Sequence, residues 1–568
     1  MSKKNQRQTN SPQGRSQAKT RFDEVESFVR EKPHVLLYSV LGISLILGLL
    51  LFDVKPSTGG DDTAYILQAH DLLANGTIPI GFKSPGYPLV LALFMVFTGL
   101  NVILLKFTSF IFYVGAVASF YFIFRKRLEP FLFSAVLVFF AVNLLVLEYS
   151  HQTYSEVLFL LVELWALFFL WKDEESPTGS TLRGTFLIAL FAMAGFYVRA
   201  IGATLPLSIG LWYILGKRWK TFLWFAGFCI LLYVPWKVAE FSHGLLFVGQ
   251  ASDVMMVNPY NPALGRETLG GFVTRLVNNL AVHFNYMIPR GLQLPYDEYL
   301  GGADGRLVPN GMAFLGVMIT TAVVVGIVRA FRFGSKELRF LALYFSVYLI
   351  SICLALQNLF ATPRMMVPMI PFLLLLFLTG IQGTLHRFLG TGQNRTNGFK
   401  GWFAFTVVLM AVSSLSQVGS AVDDNLRVLK ANLRGDEFAG LSPDWENYLK
   451  ASRWIARHLP KDSTGVICRK PELFQIYSGG FHAYGTYAIE STNPDTIVAH
   501  WQGMKMTHLL YDNFQWSTTL RRYVQPVAQA YPRMFDLIHQ EGEELPSYVY
   551  RLDYAAADST RLARGTGK

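Results

Sequence analysis

The sequence predicts a polytopic α-helical membrane protein that carries a small α/β domain at its C-terminal end. Three observations predict it. Of 568 residues, 52% are hydrophobic and 16% are charged, against roughly 25% charged in an ordinary soluble domain. Apolar stretches recur that can cross a hydrocarbon core of about 30 Å. One of them, His34 to Phe52, contains no Asp, Glu, Lys or Arg. From about residue 420 the composition turns to that of a soluble domain.

The elements follow in order. Residues 1–33 are rich in Lys, Arg, Gln and Ser, which predicts a disordered basic cytoplasmic tail. No short apolar core precedes a small-residue cleavage site there, so the first span is expected to remain as an anchor. Spans are predicted over 34–53, 102–124, 129–147, 156–171, 183–198, 201–216, 221–240, 311–331, 339–356, 365–381 and 402–418, about eleven helices. Basic residues fall on alternate sides of successive spans, at Arg125-Lys126-Arg127, Lys172, Lys217-Arg218, Arg329 to Arg339 and His386 to Lys400. By the positive-inside rule those sides are cytoplasmic. The same clustering accounts for the net charge of +11 without a nucleic-acid partner. The outer side then holds the loop 54–100, His151 to Glu156, Ala200 to Gly202, the loop 241–310, Gln357 to Arg364 and the C-terminal segment. Residues 86–99 are apolar but short, and read as a re-entrant or interfacial helix.

The expected organisation is a membrane domain over 34–418 and an extracytoplasmic α/β domain over 419–568. In the latter, Asp444 to His458 has the pattern of an amphipathic helix, Pro460 to Ser463 reads as a turn, and Thr464 to Cys468 as a short strand. Cys229, Cys353 and Cys468 are scattered and form neither a disulfide framework nor a metal-ligand spacing.

The chemistry is expected just beyond the first span, at Asp61-Asp62. Adjacent carboxylates beside lipid are costly unless they face a polar cavity, a cation or a substrate. Lys83, His151, Glu156, Arg199 and Arg364 stand at the same predicted depth. If the helices bundle, three carboxylates and three basic side chains can converge on one outer pocket. None of them belongs to a P-loop, a dinucleotide turn, HExxH or GxSxG. A carboxylate can take a proton from an incoming hydroxyl or amine. A guanidinium suits charge growing on a departing phosphate. Carboxylates can also hold magnesium or manganese, and Asp62 and Glu156 are the expected ligands. Structural readings stay open for each residue. Asp61 can cap a helix starting near Thr63, Glu156 can favour its own helix dipole, and Arg199 can meet a purely structural anion. Arg364 can snorkel to headgroups, while Lys83 and His151 can be wetted surface.

The series Asp61-Asp62-Thr63-Ala64-Tyr65, Ala69 to Gly76 and Pro85-Gly86-Tyr87-Pro88 resembles the first outer loop of the GT-C membrane glycosyltransferases. The similar branch holds the protein O-mannosyltransferases and the lipid A aminoarabinose transferase. Ser155-Glu156 resembles the second acidic motif of that family. Val198-Arg199 and Arg364 to Phe372 resemble its basic helix ends, and Trp454 to Pro460 with Arg469-Lys470-Pro471 resembles the soluble tail of bacterial members. Where the family usually has Arg-Tyr and a double proline, this chain has Arg364-Met365 and Ser84-Pro85. The resemblance implies a GT-C fold and inverting transfer of a sugar from a polyprenyl-phosphate donor to a lipid, glycan or protein acceptor, on the outer face of a bacterial inner membrane. It implies Asp61 as general base and Asp62 and Glu156 beside the acceptor or a metal. Lys83, Arg199, Arg364 and Tyr87 would stand at the donor phosphate, with Tyr65 and His151 in the acceptor pocket. The rival reading is a transporter or flippase of lipid-linked sugars. Transporters place polar residues near the bilayer midplane on broken helices, often with internal repeats, whereas here the charges gather at one face. A non-catalytic assembly subunit is a third reading.

Overall fold

The structure is a computed structural model that describes Ser27 and residues 31–56, 61–77, 83–176, 179–242, 250–259, 261–295, 299–301, 307–309, 314–357, 362–388, 393–486, 491–517 and 519–565. The expected basic tail lies almost wholly outside the described residues, as do Gly59, Gly60 and parts of the outer loops 241–310 and 357–364.

The expected spans fall on helical segments where they are described, but 129–147 is divided between two helices and 365–381 starts in a 3₁₀ turn. Among the described residues, 7 helices are long and apolar enough to cross a membrane. Pro130–Ala141 and Leu144–Ser150, bent by 47° at their junction, make an eighth if taken as one span. The bend falls at Asn143, whose side-chain oxygen accepts from the Val146 amide at 3.3 Å while its amide donates to the Gly291 carbonyl at 2.9 Å. Asn143 thereby caps the second helix and ties the break to Gly291. Leu182–Val198 and Ala200–Leu215 are shorter apolar helices. The helix Glu156–Glu174 is too charged to count as a plain apolar span, because Lys172, Asp173 and Glu174 at its end add to Glu156 and Glu163. Glu163 is fully buried and accepts from the Tyr344 hydroxyl at 2.7 Å, across to the helix Lys336–Ala355.

The last long helix, Gln393–Leu433, runs for 41 residues and continues well past 418. There Asn425 donates to the carbonyls of Leu50 and Phe52 at 2.9 and 3.1 Å. It thereby caps the end of the first span, Pro33–Leu50, whose last carbonyls have no partner within the helix.

The chain then builds an α/β unit. A short antiparallel pair, β1 (Tyr299–Gly301) and β2 (Leu307–Pro309), precedes it in the outer loop. The unit contains β3 (Gly465–Cys468), β4 (His482–Gly485), β5 (His508–Tyr511), β6 (Phe535–Glu541) and β7 (Ser547–Leu552), in the order β4-β3-β5-β7-β6. β3 pairs in parallel with both β4 and β5, while β5–β7 and β6–β7 are antiparallel. Alternation along β3 divides the core. Val466 and Cys468 pack on one face with Tyr448, Leu473 and Phe474. Ile467 packs on the other with Trp501, Tyr523 and Val527. Helices therefore cover both faces of the sheet. Cys353 and Cys468 are buried, Cys229 is half-buried, and all three are free thiols.

Candidate active site

Five segments bring the site together, one of them the start of the helix Glu156–Glu174. Asp61 and Asp62 open the helix Asp61–Asn75. Neighbouring positions on a helix point about 100° apart, so the two carboxylates diverge. Asp61 faces the cavity described below. Asp62 is 2% exposed and acts electrostatically on Lys470 and Tyr477 of the C-terminal unit. Lys83 stands just before the short helix Gly86–Thr98. A Cβ on Gly86 would lie 2.7 Å from the Tyr197 carbonyl group, so only glycine lets this helix dock on the end of Leu182–Val198. That end presents Arg199 in extended backbone, with φ −147°. The chain then folds back so tightly that a Cβ on Gly202 would meet the Gly195 carbonyl oxygen at 2.3 Å. Arg364 lies in the 3₁₀ turn Pro363–Met369, which is tied to the helix Lys336–Ala355 by the Tyr348 hydroxyl donating to the Met365 carbonyl at 2.7 Å.

These groups form one chain of charge. Lys83 Nζ lies 2.8 Å from Asp61 Oδ1 and also donates to the Asp61 carbonyl at 3.2 Å. Arg364 Nη1 lies 2.6 Å from Asp61 Oδ2, and its Nε stands 2.7 Å from Glu156 Oε1. Arg199 Nη1 is 2.5 Å from the same Glu156 oxygen and donates to Ser155 Oγ at 2.9 Å. Aromatic rings support the cations. Lys83 sits 4.4 Å from the centre of the Tyr65 ring, and Arg364 sits 4.9 Å from that of Tyr154. Tyr65 in turn meets Tyr87 edge-on at 5.0 Å. Burial raises the Asp61 carboxyl, but Lys83 and Arg364 outweigh it and hold the group well below the usual carboxylate range.

Asp61, Tyr65, Lys83, Arg199 and Arg364 line a cavity of about 1150 Å³. Its further walls come from Asp253 and Val254 of the outer loop, Ile352 to Gln357, and Gly440 to Trp445 of the C-terminal segment. The outer-loop wall is fixed by Arg275, which donates to the carbonyls of Val254 and Met256 at 2.8 and 2.9 Å and pairs with Glu267 at 2.8 Å. The other sequence-derived residues stand behind this surface. Glu156 is fully buried beneath the two arginines, and Tyr87 is fully buried with its hydroxyl 3.3 Å from Ser109 Oγ. His151 lies 3.7 Å from Asp53 and does not join Asp61.

Sequence reasoning missed Asp53 and Lys106, which both line the cavity. Lys106 sits inside the span Val102–Phe124 and is 3% exposed. Its ammonium reaches Asp53 Oδ1 at 2.6 Å, the Asp53 carbonyl at 2.7 Å and the Lys55 carbonyl at 2.9 Å. All three N–H donors are thereby used to staple the chain leaving the first span. The available signal was a lone lysine in an apolar run, which needs a partner.

A divalent cation at Asp62 and Glu156 does not suit this arrangement. Glu156 is already in contact with two guanidinium groups, and three cations stand against the two carboxylates Asp61 and Glu156. Such a site favours an anion. Among the described residues, no three His, Cys, Asp or Glu side chains gather as a metal-binding group.

Two solved structures share this architecture. The chain superposes on ArnT from Cupriavidus metallidurans bound to undecaprenyl phosphate with a TM-score of 0.53 and 10% identity, over 93% of this chain and 99% of that one. It superposes on the archaeal oligosaccharyltransferase AglB from Archaeoglobus fulgidus, in complex with an inhibitory peptide and a dolichol-phosphate, with a TM-score of 0.51 and 11% identity, over 91% of this chain and 74% of that one. No protein-family model matches the chain, and no curated protein is similar to it in sequence. The chain therefore has the fold that these two solved structures share.

Proposed function

We propose that the protein is a membrane glycosyltransferase that moves a sugar from a polyprenyl-phosphate donor to a lipid, glycan or protein acceptor, with inversion. The observation that carries this reading is Asp61, held between Lys83 and Arg364 on the wall of a large cavity. A carboxylate able to take a proton thus stands beside cations able to take a phosphate. The structures of similar fold that hold undecaprenyl phosphate or dolichol-phosphate support this donor class.

In the proposed reaction the acceptor hydroxyl oxygen attacks the anomeric carbon. The bond from that carbon to the phosphate oxygen breaks, and its electron pair leaves with the polyprenyl phosphate. The hydroxyl proton passes to Asp61. Lys83, Arg199 and Arg364 carry the charge of the departing phosphate, and Glu156 holds the two arginines in place. A carboxyl kept as acidic as Asp61 is a poor base in the free protein. Phosphate arriving between Lys83 and Arg364 would draw both cations away from it and restore its basicity, so the base would become competent when the donor is bound. No step is routed through a metal. We place the reaction on the outer face of a bacterial inner membrane, with the C-terminal unit on the same side, as the positive-inside pattern supports.

The test uses purified protein in detergent, a labelled pool of undecaprenyl-phosphate sugars and an envelope extract. Release of free undecaprenyl phosphate with transfer of the labelled sugar is expected. No release in detergent, with label that crosses the membrane of vesicles reconstituted with the protein while still attached to its lipid, would favour the flippase reading.

A further inference from the structure

We propose that a second cavity, walled by Glu148, Gln293 and the row Ser416, Ser420 and Asp424, binds the headgroup of an amino phospholipid of the phosphatidylethanolamine class. This does not rest on the reading of the first cavity as a transfer site. The two cavities share the helix Leu144–Ser150, with Tyr149 on the first and Glu148 on the second, and among the described residues none lines both.

The second cavity measures about 400 Å³, within the range of small-molecule sites. Gln293 lines it, is 1% exposed and has a φ of 54°. That left-handed backbone is costly for a residue other than glycine and persists only where its surroundings hold it. The long helix Gln393–Leu433 does so. Ser413 Oγ and Gln417 Nε2 donate to the Gln293 carbonyl, and Ser414 Oγ donates to its Oε1 at 3.2 Å. The Gln293 Nε2 is buried without a hydrogen-bond partner. An amide nitrogen so placed is costly unless a ligand oxygen accepts from it.

The charge and the depth choose the ligand. Glu148 and Asp424 bring two carboxylates and Arg290 one guanidinium. Arg290 acts on Glu148 electrostatically and donates to the Tyr286 hydroxyl. Neither carboxylate forms a salt bridge among the described residues. Asn425, beside Asp424, caps the end of the first span, so the cavity lies where the bundle leaves the hydrocarbon. Positions 408, 412, 416, 420 and 424 recur every four residues and so share one stripe of the long helix. They read Val, Val, Ser, Ser and Asp. Val408 and Val412 are 58% and 61% exposed. The stripe thus turns from apolar to polar at Ser416, which matches a molecule with a hydrocarbon chain below and a polar head above. A free sugar or ion would leave the apolar half unused. An ammonium suits the two carboxylates, and the Gln293 amide suits a phosphate or ester oxygen. An anionic lipid would bring its charge against both acids.

Native mass spectrometry of the full chain in detergent tests this, with phosphatidylethanolamine, phosphatidylcholine and phosphatidylglycerol of identical acyl chains as probes. A saturable single adduct is expected, tightest for phosphatidylethanolamine. Phosphatidylcholine, whose quaternary ammonium has no N–H, should bind roughly tenfold more weakly, the scale of one charge-assisted contact. Glu148→Gln/Asp424→Asn should bring the ethanolamine lipid down to the affinity of the choline lipid. Ser420→Phe, at an exposed position, gives a second variant should the first not fold, and should remove the adduct by filling the cavity. Phosphatidylethanolamine bound no better than either other lipid would overturn the proposal, as would wild-type affinity in the variants. An adduct lost in Arg364→Gln but kept in the second-cavity variants would place the lipid in the first cavity and overturn it too.

Discussion

Asp61 and Arg364, 303 residues apart in the chain, meet at 2.6 Å, and through Arg364 the acid at the mouth of the first helix is joined to the buried Glu156. This one arginine ties the acidic loop, the helix Glu156–Glu174 and the turn Pro363–Met369 into a single wall.

The Asp61 ion pairs should resist acid. Its carboxyl lies below its unfolded value, so the stabilisation is fully present above the ordinary carboxylate range, near pH 4, and is lost only as pH falls through the folded value. The stability difference between wild type and Asp61→Asn should stay constant from about pH 7 to pH 5 and shrink below about pH 4. Thermal melting in detergent across that range checks it.

Lys106→Met should destabilise the protein by roughly 3–5 kcal/mol, because it leaves the Asp53 charge buried without its closest cation. The double variant Asp53→Asn/Lys106→Met should recover much of the loss. A double variant no better than the single would assign the cost to packing of the lysine stem.

Glu156→Gln should lower the melting temperature of the free protein, since Arg199 and Arg364 lose their shared buried anion. Adding undecaprenyl phosphate should restore more stability to this variant than to the wild type. Melting with and without the lipid measures both.

Gly86→Ala should cost roughly 1–3 kcal/mol, because the added methyl meets the Tyr197 carbonyl group. The displacement passes through Val198 to Arg199, so the donor KM should rise as well. An unchanged KM in a destabilised variant would show that Arg199 is positioned by other contacts.

The residues legible in the sequence were those whose charge stands at the edge of an apolar run. Asp61, Lys83, Arg199 and Arg364 are of this kind, and all four line the cavity. Glu156 was equally visible, but its place beneath two arginines depends on how three segments cross. Asp62 differs from Asp61 only in helical phase, and phase cannot be read until the first residue of the helix is known. Lys106 was hidden by its neighbours. Over Val102 to Phe124 the apolar residues dominate the pattern, and the need for a partner points to no particular acid until Asp53 is seen 53 positions earlier. The C-terminal sheet was visible as alternating short elements, whereas its strand order is not carried by short-range pattern.

The measurement that tests the central claim most directly is single-turnover release of undecaprenyl phosphate by purified wild type, Asp61→Asn and Asp62→Asn, with lipid binding measured in the same samples. If Asp61 is the base, Asp61→Asn should lose roughly 10²–10⁴-fold in rate while it still binds the lipid phosphate, and Asp62→Asn should retain most of the rate. A wild-type rate in Asp61→Asn would contradict the account.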